Sequence, residues 1–302
     1  MPRPNSSSVT LDLDYSPPFD WDSIIEFLAA RAIPGVEVVE PDRYRRTIDL
    51  EGRHGTIEVS RASERDSLTA TLRFANAGAL PSIVGRIRRV FDLDADVGPI
   101  GARLGADPLL RPLVRARPGL RVPGAWDGFE LAVRAMLGQQ ITVSGARQLI
   151  GRLVSLYGQP FRAPVGDGLT AVFPTAERVA RADLTALGMP RARAAAISGM
   201  ATAVVADPDL LRPGPSLDDT VARLTALPGI GDWTAHYIAM RALREPDAFP
   251  AADIGLLRAL TGPDGMRPTP AAVLARAEAW RPWRAYAAQH LWTSLAATPG
   301  RA

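Results

Sequence analysis

Three groups of residues in this chain have the types and the spacing for chemistry. The first is Leu227-Pro228-Gly229-Ile230-Gly231, followed by Asp232-Trp233-Thr234-Ala235. Two glycines flanking one apolar residue permit a sharp turn and leave backbone N–H groups uncovered where a helix begins. Such amides, with the positive end of the helix dipole, form a ready anion site. A bare Gly-x-Gly reads as an ordinary helix–turn–helix corner. Leu-Pro before it, Thr-Ala after it and helical patterns on both sides favour phosphate binding. The second group is Asp253, in Phe249-Pro250-Ala251-Ala252-Asp253-Ile254-Gly255-Leu256. A carboxylate opening a helix can cap it, or present a fixed negative charge to a reacting centre. Position alone leaves both open. The third group is Trp233, Tyr237 and Met240, at i, i+4 and i+7 on one helix face. Such a face is either core or a stacking surface for a flat ring; Met240 reads as core.

Other chemistry is excluded by composition. All 35 cationic residues among 302 are arginine, so no lysine can form a Schiff base. With no cysteine there is no disulfide, no thiolate nucleophile and no Cys-held metal. No His, Asp or Glu cluster has zinc or di-metal spacing. His54 reads as a turn residue, and His236 and His290 as structural or surface histidines on helices. The formal net charge of +3 permits a nucleic-acid partner without demanding one. Met1–Thr10 lacks the apolar segment of a secretory signal. The uncharged run Ala194–Ala206 is shorter than the ~20 residues of a membrane span. A cytoplasmic protein without membrane contact is expected.

The elements that must position these groups are legible as hydrophobic periodicity. Residues 1–90 read as a small α+β domain. Leu11, Leu13 and Tyr15 alternate with aspartates as in a strand, and Trp21–Ala32 reads as a helix capped by Asp20 or Asp22. Strands are expected at Val36–Val39, Tyr44–Leu50, Thr56–Ser60 and Leu68–Phe74. Their turns are expected at Gly52, His54-Gly55 and Ser63–Asp66. Leu80–Phe91 returns to helical spacing. Residues 91–302 read as an all-α core. Its helices are expected at Asp127–Leu137, Val143–Tyr157, Thr175–Ala186, Arg191–Val205, Leu217–Ala226, Trp233–Leu243, Ile254–Leu260, Ala271–Ala279 and Trp283–Ala296. Thr175, Ser216 and Thr269 supply start signals. Arg111, Arg115, Arg117 and Arg121 form a basic stretch that reads as a solvated linker or as a strap facing phosphates.

Leu227–Thr234 resembles the helix–hairpin–helix of base-excision DNA glycosylases, here within about 217–243. In that superfamily an aspartate follows the hairpin at the start of a later helix, and Asp253 stands 22 residues beyond Gly231. The likeness extends to Ser16-Pro17-Pro18-Phe19-Asp20-Trp21, Phe27-Leu28-Ala29-Ala30-Arg31-Ala32 and Arg117-Pro118-Gly119-Leu120-Arg121. It continues through Ala132–Gln140, Leu187-Gly188-Met189-Pro190 and Arg281-Pro282-Trp283-Arg284-Ala285-Tyr286. Over about Leu11–Leu295 the chain is similar to the AlkA-type 3-methyladenine DNA glycosylase II family. That family joins an α+β leader domain to a mainly α-helical helix–hairpin–helix core.

The resemblance implies a monofunctional glycosylase that flips alkylated purines, 3-methyladenine and 7-methylguanine, out of double-stranded DNA and hydrolyses the N-glycosidic bond. Asp253 would stabilise the oxocarbenium-like sugar. Trp233, Tyr237, Trp292 and Phe27 would form the base pocket, where electron-rich faces suit a cationic base. Gly229, Ile230, Gly231 and Thr234 would meet DNA at the hairpin. Gln139 and Gln140 would meet it in the minor groove; as helix residues they could instead serve as caps. Gln140 stands where the family has an apolar wedge. Bifunctional relatives carry a lysine where this chain has Trp233, so an intact abasic site is expected as product, left to a downstream abasic-site endonuclease. No cofactor is implied beyond a structural Na+ or K+ on the carbonyls of Thr225, Leu227 and Ile230. A nucleoid-associated monomer is expected. The competing expectations are a glycosylase with a shifted base range (deaminated purines or alkylated pyrimidines) and a non-catalytic damaged-DNA-binding module, such as a piece of an alkylation-response regulator.

Overall fold

The computed structural model describes residues 8–62, 65–161, 167–262 and 264–296. The chain opens with β1 (Ser8–Asp14), α1 (Trp21–Arg31), β2 (Glu37–Glu40), β3 (Arg43–Leu50), β4 (Arg53–Arg61), β5 (Ser67–Arg73) and α2 (Leu80–Phe91). The strands form one antiparallel sheet in the order β1-β5-β4-β3-β2. Register follows the period-2 pattern: Tyr44 faces Val59 and Ile57 faces Leu72 across neighbouring strands, all four buried. Trp21, Ile24, Ile25 and Leu28 of α1 and Ile83, Ile87 and Val90 of α2 pack with these residues in one core. Asp20 caps α1 by accepting from Ser23 N at 3.1 Å. His54 and Gly55 are paired residues of β4 rather than a turn; the sharp reversal is confined to Glu51 and Gly52, both left-handed. Gly55 is there because a Cβ would stand 2.3 Å from Arg73 O. Ser63 and Glu64 of the expected turn lie outside the described residues.

The helical core comprises α3 (Val97–Gly105), α4 (Arg111–Ala116), α5 (Gly128–Leu137), α6 (Val143–Tyr157), α7 (Ala176–Ala180), α8 (Arg191–Ala206), α9 (Leu217–Thr225), α10 (Asp232–Arg241), α11 (Ile254–Ala259), α12 (Pro270–Ala277) and α13 (Arg284–Ala296). A two-residue hairpin, β6 (Gln159–Pro160) with β7 (Ala171–Val172), interrupts it. The expected helices of this region are present, that at Thr175–Ala186 shortened to α7 and continued by a 3₁₀ turn. Ser216 and Thr269 cap α9 and α12, whereas Thr175 makes no capping bond. Helices α3 and α4 were not expected. Their prolines and arginines obscure the periodicity, yet Ile100, Leu104, Leu110 and Val114 bury one face against α13 residues such as Tyr286.

The basic stretch does not act as one solvated unit, and Arg121 cannot face phosphate. Arg121 is fully buried and donates to the carbonyls of Asp92, Ala95, Ser16 and Pro18, clamping the leader to the end of α2. Arg117 donates to Asp20 and Ser23, and Arg111 to the carbonyls of Gly105 and Ala106. Only Arg115 stays exposed with no hydrogen bond or ion pair among the described residues. The spacing showed charge, but burial decided its use.

A second joint between sheet and core is ionic. Arg46 of β3 bonds Glu130 of α5 at 2.7 Å, and Arg134 of α5 bonds both Glu37 and Glu130. Tyr44 donates to Glu37 at 2.7 Å. Burial would push the Glu37 carboxyl up, but Arg134 and then Arg46 hold it below its usual value. Two acids and two bases thus neutralise each other in the low-dielectric seam.

Candidate active site

The Gly-x-Gly turn connects α9 to α10. Ile230 is buried between the helices, in one cluster with Leu224, Ala235 and Ile238. The two glycines serve different ends. Gly229 has φ +81, and a Cβ there would stand 2.6 Å from Ala196 Cβ on α8. Gly231 has an ordinary negative φ, caps α10, and a Cβ on it would meet nothing within 4 Å. No intramolecular contact requires glycine at 231. Its bare backbone, exposed at the N-terminus of α10, is what an approaching anion needs. The Leu227 carbonyl accepts from Ile230 N at 3.1 Å, closing the turn.

The loop between α5 and α6 leans on this hairpin. Gln139 Nε2 donates to Gly229 O at 2.9 Å and to Thr234 Oγ1 at 3.0 Å. Both side chains are therefore committed inward, and Thr234 is buried. A contact of Thr234 to a phosphate would run through its backbone N–H. Gln140 instead stands at an exposed tip with φ 60. Beside it Ile141 and Val143 are 39% and 46% exposed, so the tip carries apolar surface that Gln140 itself lacks.

Asp253 caps α11: its Oδ1 accepts from Leu256 N at 3.0 Å. The same oxygen accepts from the indole Nε1 of Trp292 at 2.8 Å, and Oδ2 accepts from the indole Nε1 of Trp233 at 2.9 Å. Both carboxylate oxygens are thus held, by donors from α10, α11 and α13. The capping and the charge-presenting readings describe one geometry. Gly255 makes it possible, because a Cβ there would sit 2.9 Å from both Asp253 Oδ1 and Trp292 Cδ1. Trp233 stacks on Tyr237 with centroids 5.2 Å apart and planes 9° apart. Met240 is core.

Phe27 of α1 reaches this cluster through a residue the sequence reading missed. The Arg241 guanidinium lies over Phe27 at 4.5 Å, Trp292 at 5.3 Å and Tyr237 at 5.6 Å. Arg31 covers Phe27 as well, at 4.0 Å. The signal was present: Arg241 follows Tyr237 by four residues and Arg31 follows Phe27 by four, one helical turn each. The faces expected to be free for a cationic base are therefore partly occupied by protein cations.

The histidines are structural. His236 Nδ1 accepts from Phe249 N at 3.2 Å, and burial pushes its pKa down. Burial likewise pushes His290 down to about 4. Among the described residues no group of three or more His, Cys, Asp or Glu could hold a metal ion, and no helix is long and apolar enough to cross a membrane.

Residues 10–127 match the AlkA N-terminal domain family, and residues 133–285 match the family described as HhH-GPD superfamily base excision DNA repair protein. The chain is 35% identical over 285 residues to "DNA-3-methyladenine glycosylase 2" of Escherichia coli, covering 93% of this chain and 95% of that protein. It is 40% identical over 291 residues to a Mycobacterium tuberculosis protein named "Probable bifunctional transcriptional activator/DNA repair enzyme AlkA", covering 96% of this chain. The chain spans 58% of the length of that relative. The solved 3-methyladenine DNA-glycosylase from Archaeoglobus fulgidus has the same fold, with a TM-score of 0.82 at 24% identity, over 96% of this chain and 99% of that one.

Proposed function

Because the chain belongs to the HhH-GPD superfamily of base excision DNA repair proteins, within the DNA-3-methyladenine glycosylase family, we propose that it is a monofunctional glycosylase releasing alkylated purines from duplex DNA. The observation that carries this reading is the Asp253 carboxylate, held on both oxygens by two indole N–H groups and one amide.

As the C1′–N bond lengthens, its electron pair leaves with the base and positive charge grows on the deoxyribose. A fixed anion beside that sugar lowers the barrier without having to reorganise. Water then attacks C1′ and an abasic site remains. Purines alkylated at N3 or N7 leave as neutral molecules and need no strong acid. The hairpin amides of Gly229 and Gly231 hold a backbone phosphate, while the Ile230 N–H is already donated to Leu227 O within the turn. Gln140, with Ile141 beside it, fills the space vacated by the extruded base. With tryptophan at 233 and no lysine anywhere in the chain, no Schiff base forms and the strand is left uncut. A separate abasic-site endonuclease then processes the product. A monovalent cation on the carbonyls of Thr225, Leu227 and Ile230 would stiffen the turn and take no part in the reaction. The protein acts as a cytoplasmic, nucleoid-associated monomer.

The test is base release from methylated duplex DNA by wild type and Asp253→Asn, with alkali added afterwards. Release by wild type alone, with strand breaks only after alkali, is the expected result. Strand breaks before alkali would remove the monofunctional assignment. Binding of damaged duplex without release by either protein would leave a binding module.

A further inference from the structure

Two arginines lie inside the aromatic cluster around Asp253. Arg241 is 2% exposed. Its guanidinium donates to Pro123 O and to Gln289 Oε1, each at 2.9 Å, while its Nε is buried without a hydrogen-bond partner among the described residues. Arg31 donates to Phe27 O at 3.3 Å. Among the described residues neither has a carboxylate within ion-pair distance, in contrast to Arg46 and Arg134 at the seam. Burial pushes the Arg241 guanidinium down to about 10, which leaves it charged at neutral pH. Burial alone would raise the Tyr237 phenol; Arg241, then Arg31 and Arg134, bring it below its usual value. The positive field is thus felt at the ring that lies on the Trp233 stack.

A buried cation without a counter-ion is costly, and removing it would normally stabilise a protein. Its position against Phe27, Tyr237 and Trp292 suggests what it does there. A cation on one face of a ring draws electron density away from the other face and weakens that face for a second cation. It also acts on the departing base. An alkylated, cationic base is repelled on binding and relieved of that repulsion as it leaves neutral, so relative to free enzyme and substrate a nearby positive charge gains it nothing at the transition state. An uncharged base takes the C1′–N electron pair and leaves with a developing negative charge, which a nearby guanidinium stabilises.

Resting on the glycosylase reading above, we propose that Arg31 and Arg241 are specificity-determining residues that turn the Asp253 pocket toward uncharged bases, by stabilising the negative charge those bases carry as they leave. Alkylated purines are then released mainly because their own bonds are labile, and lesions such as deaminated purines gain most from the two guanidiniums.

The experiment is single-turnover release at enzyme concentrations below saturation, so that rates refer to free enzyme and DNA, from two duplexes, one carrying a single hypoxanthine and one a single 7-methylguanine. The proteins are wild type, Arg31→Gln, Arg241→Gln and Arg241→Lys. The ratio of the hypoxanthine rate to the 7-methylguanine rate should fall about tenfold in each glutamine variant, and Arg241→Lys should recover most of it. A purely structural role would slow both bases alike and leave the ratio unchanged, which would overturn the proposal. If Arg241→Gln fails to fold, Arg31→Gln decides, because Arg31 is only partly buried and bonds a helical carbonyl of its own element. Wild type that releases 7-methylguanine but no hypoxanthine also overturns it. Wild type that releases neither base overturns the glycosylase reading on which it rests.

Discussion

Two buried arginine clusters lie on the leader side of α5 and α10, and they are built on opposite rules. At the seam, Arg46 and Arg134 meet Glu37 and Glu130, so charge is cancelled where it is buried. Around Asp253, Arg241 and Arg31 meet aromatic rings and carbonyl oxygens, and charge is left standing. The first arrangement joins two layers. The second maintains an electric field at the expense of stability, as expected of a place where a reaction occurs.

The sharpest way to break this contrast is to remove one member from each cluster. Glu130→Ala leaves Arg46 and Arg134 sharing the single carboxylate of Glu37 in the seam, one buried charge in excess, and should cost about 3–5 kcal/mol in chemical denaturation. Arg241→Met removes an unpaired cation and leaves only two neutral acceptors unbonded, so it should cost at most about 2 kcal/mol. Equal losses would show that the two clusters do not differ in kind. Next in size is activity. Asp253→Asn should reduce single-turnover excision by about 10²–10³-fold while the protein stays folded, since the amide oxygen can still cap α11; its NH2 then faces the Trp233 N–H, at a cost of about 1–3 kcal/mol. Retained excision would remove Asp253 from the chemistry.

Acid should act on the seam and on α13 rather than on Asp253's neighbours. Glu37 has a lowered folded-state pKa, so its contribution is present above the ordinary carboxylate range and disappears as pH falls through the folded value. His290 is held down to about 4 from 6.5, so the native state binds fewer protons than the unfolded chain between those values. Its contribution is complete above pH 6.5 and is lost as pH falls toward 4, a change of up to about 3 kcal/mol. His290→Gln should flatten the stability profile in that window; an unchanged slope in urea titrations would assign the window to other groups. The smallest effects separate the two hairpin glycines. Gly229→Ala should lower stability by about 1–3 kcal/mol, from left-handed strain and the contact with Ala196. Gly231→Ala should fold normally yet weaken duplex binding severalfold, read by fluorescence anisotropy. A Gly231→Ala protein that binds as well as wild type would remove this amide from the interface.

Much of this architecture is legible in the linear chain. The period-2 runs located the strands, and the 3.6-residue spacing located α1, α2 and the helices from α5 onward. Gly-x-Gly and the Trp233–Tyr237 pair stood out by spacing within one or two turns of chain, whereas Asp253, open to two readings by position, was assigned a role by the family resemblance. Helices α3 and α4 escaped because their burial comes from contact with α13, far away in sequence. The roles of the arginines were hidden for the same reason. Whether Arg121 faces solvent or four carbonyls, and whether Arg241 meets a carboxylate or three rings, depends on which segments fold against it.

The sequence by itself determined the elements, the hairpin, the acid that opens α11 and the absence of lysine and thiol chemistry, because these are properties of residue type and local spacing. The tertiary structure alone decided which charges are paired. Hydrogen bonds and Coulomb energies depend on distances of a few ångströms between groups as far apart in the chain as Asp92 and Tyr286, 194 residues, and no pattern along the chain contains those distances. Asp253 shows both sides of this. Its place before a helix is written locally, but the indoles that hold it come from 20 residues before and 39 residues after.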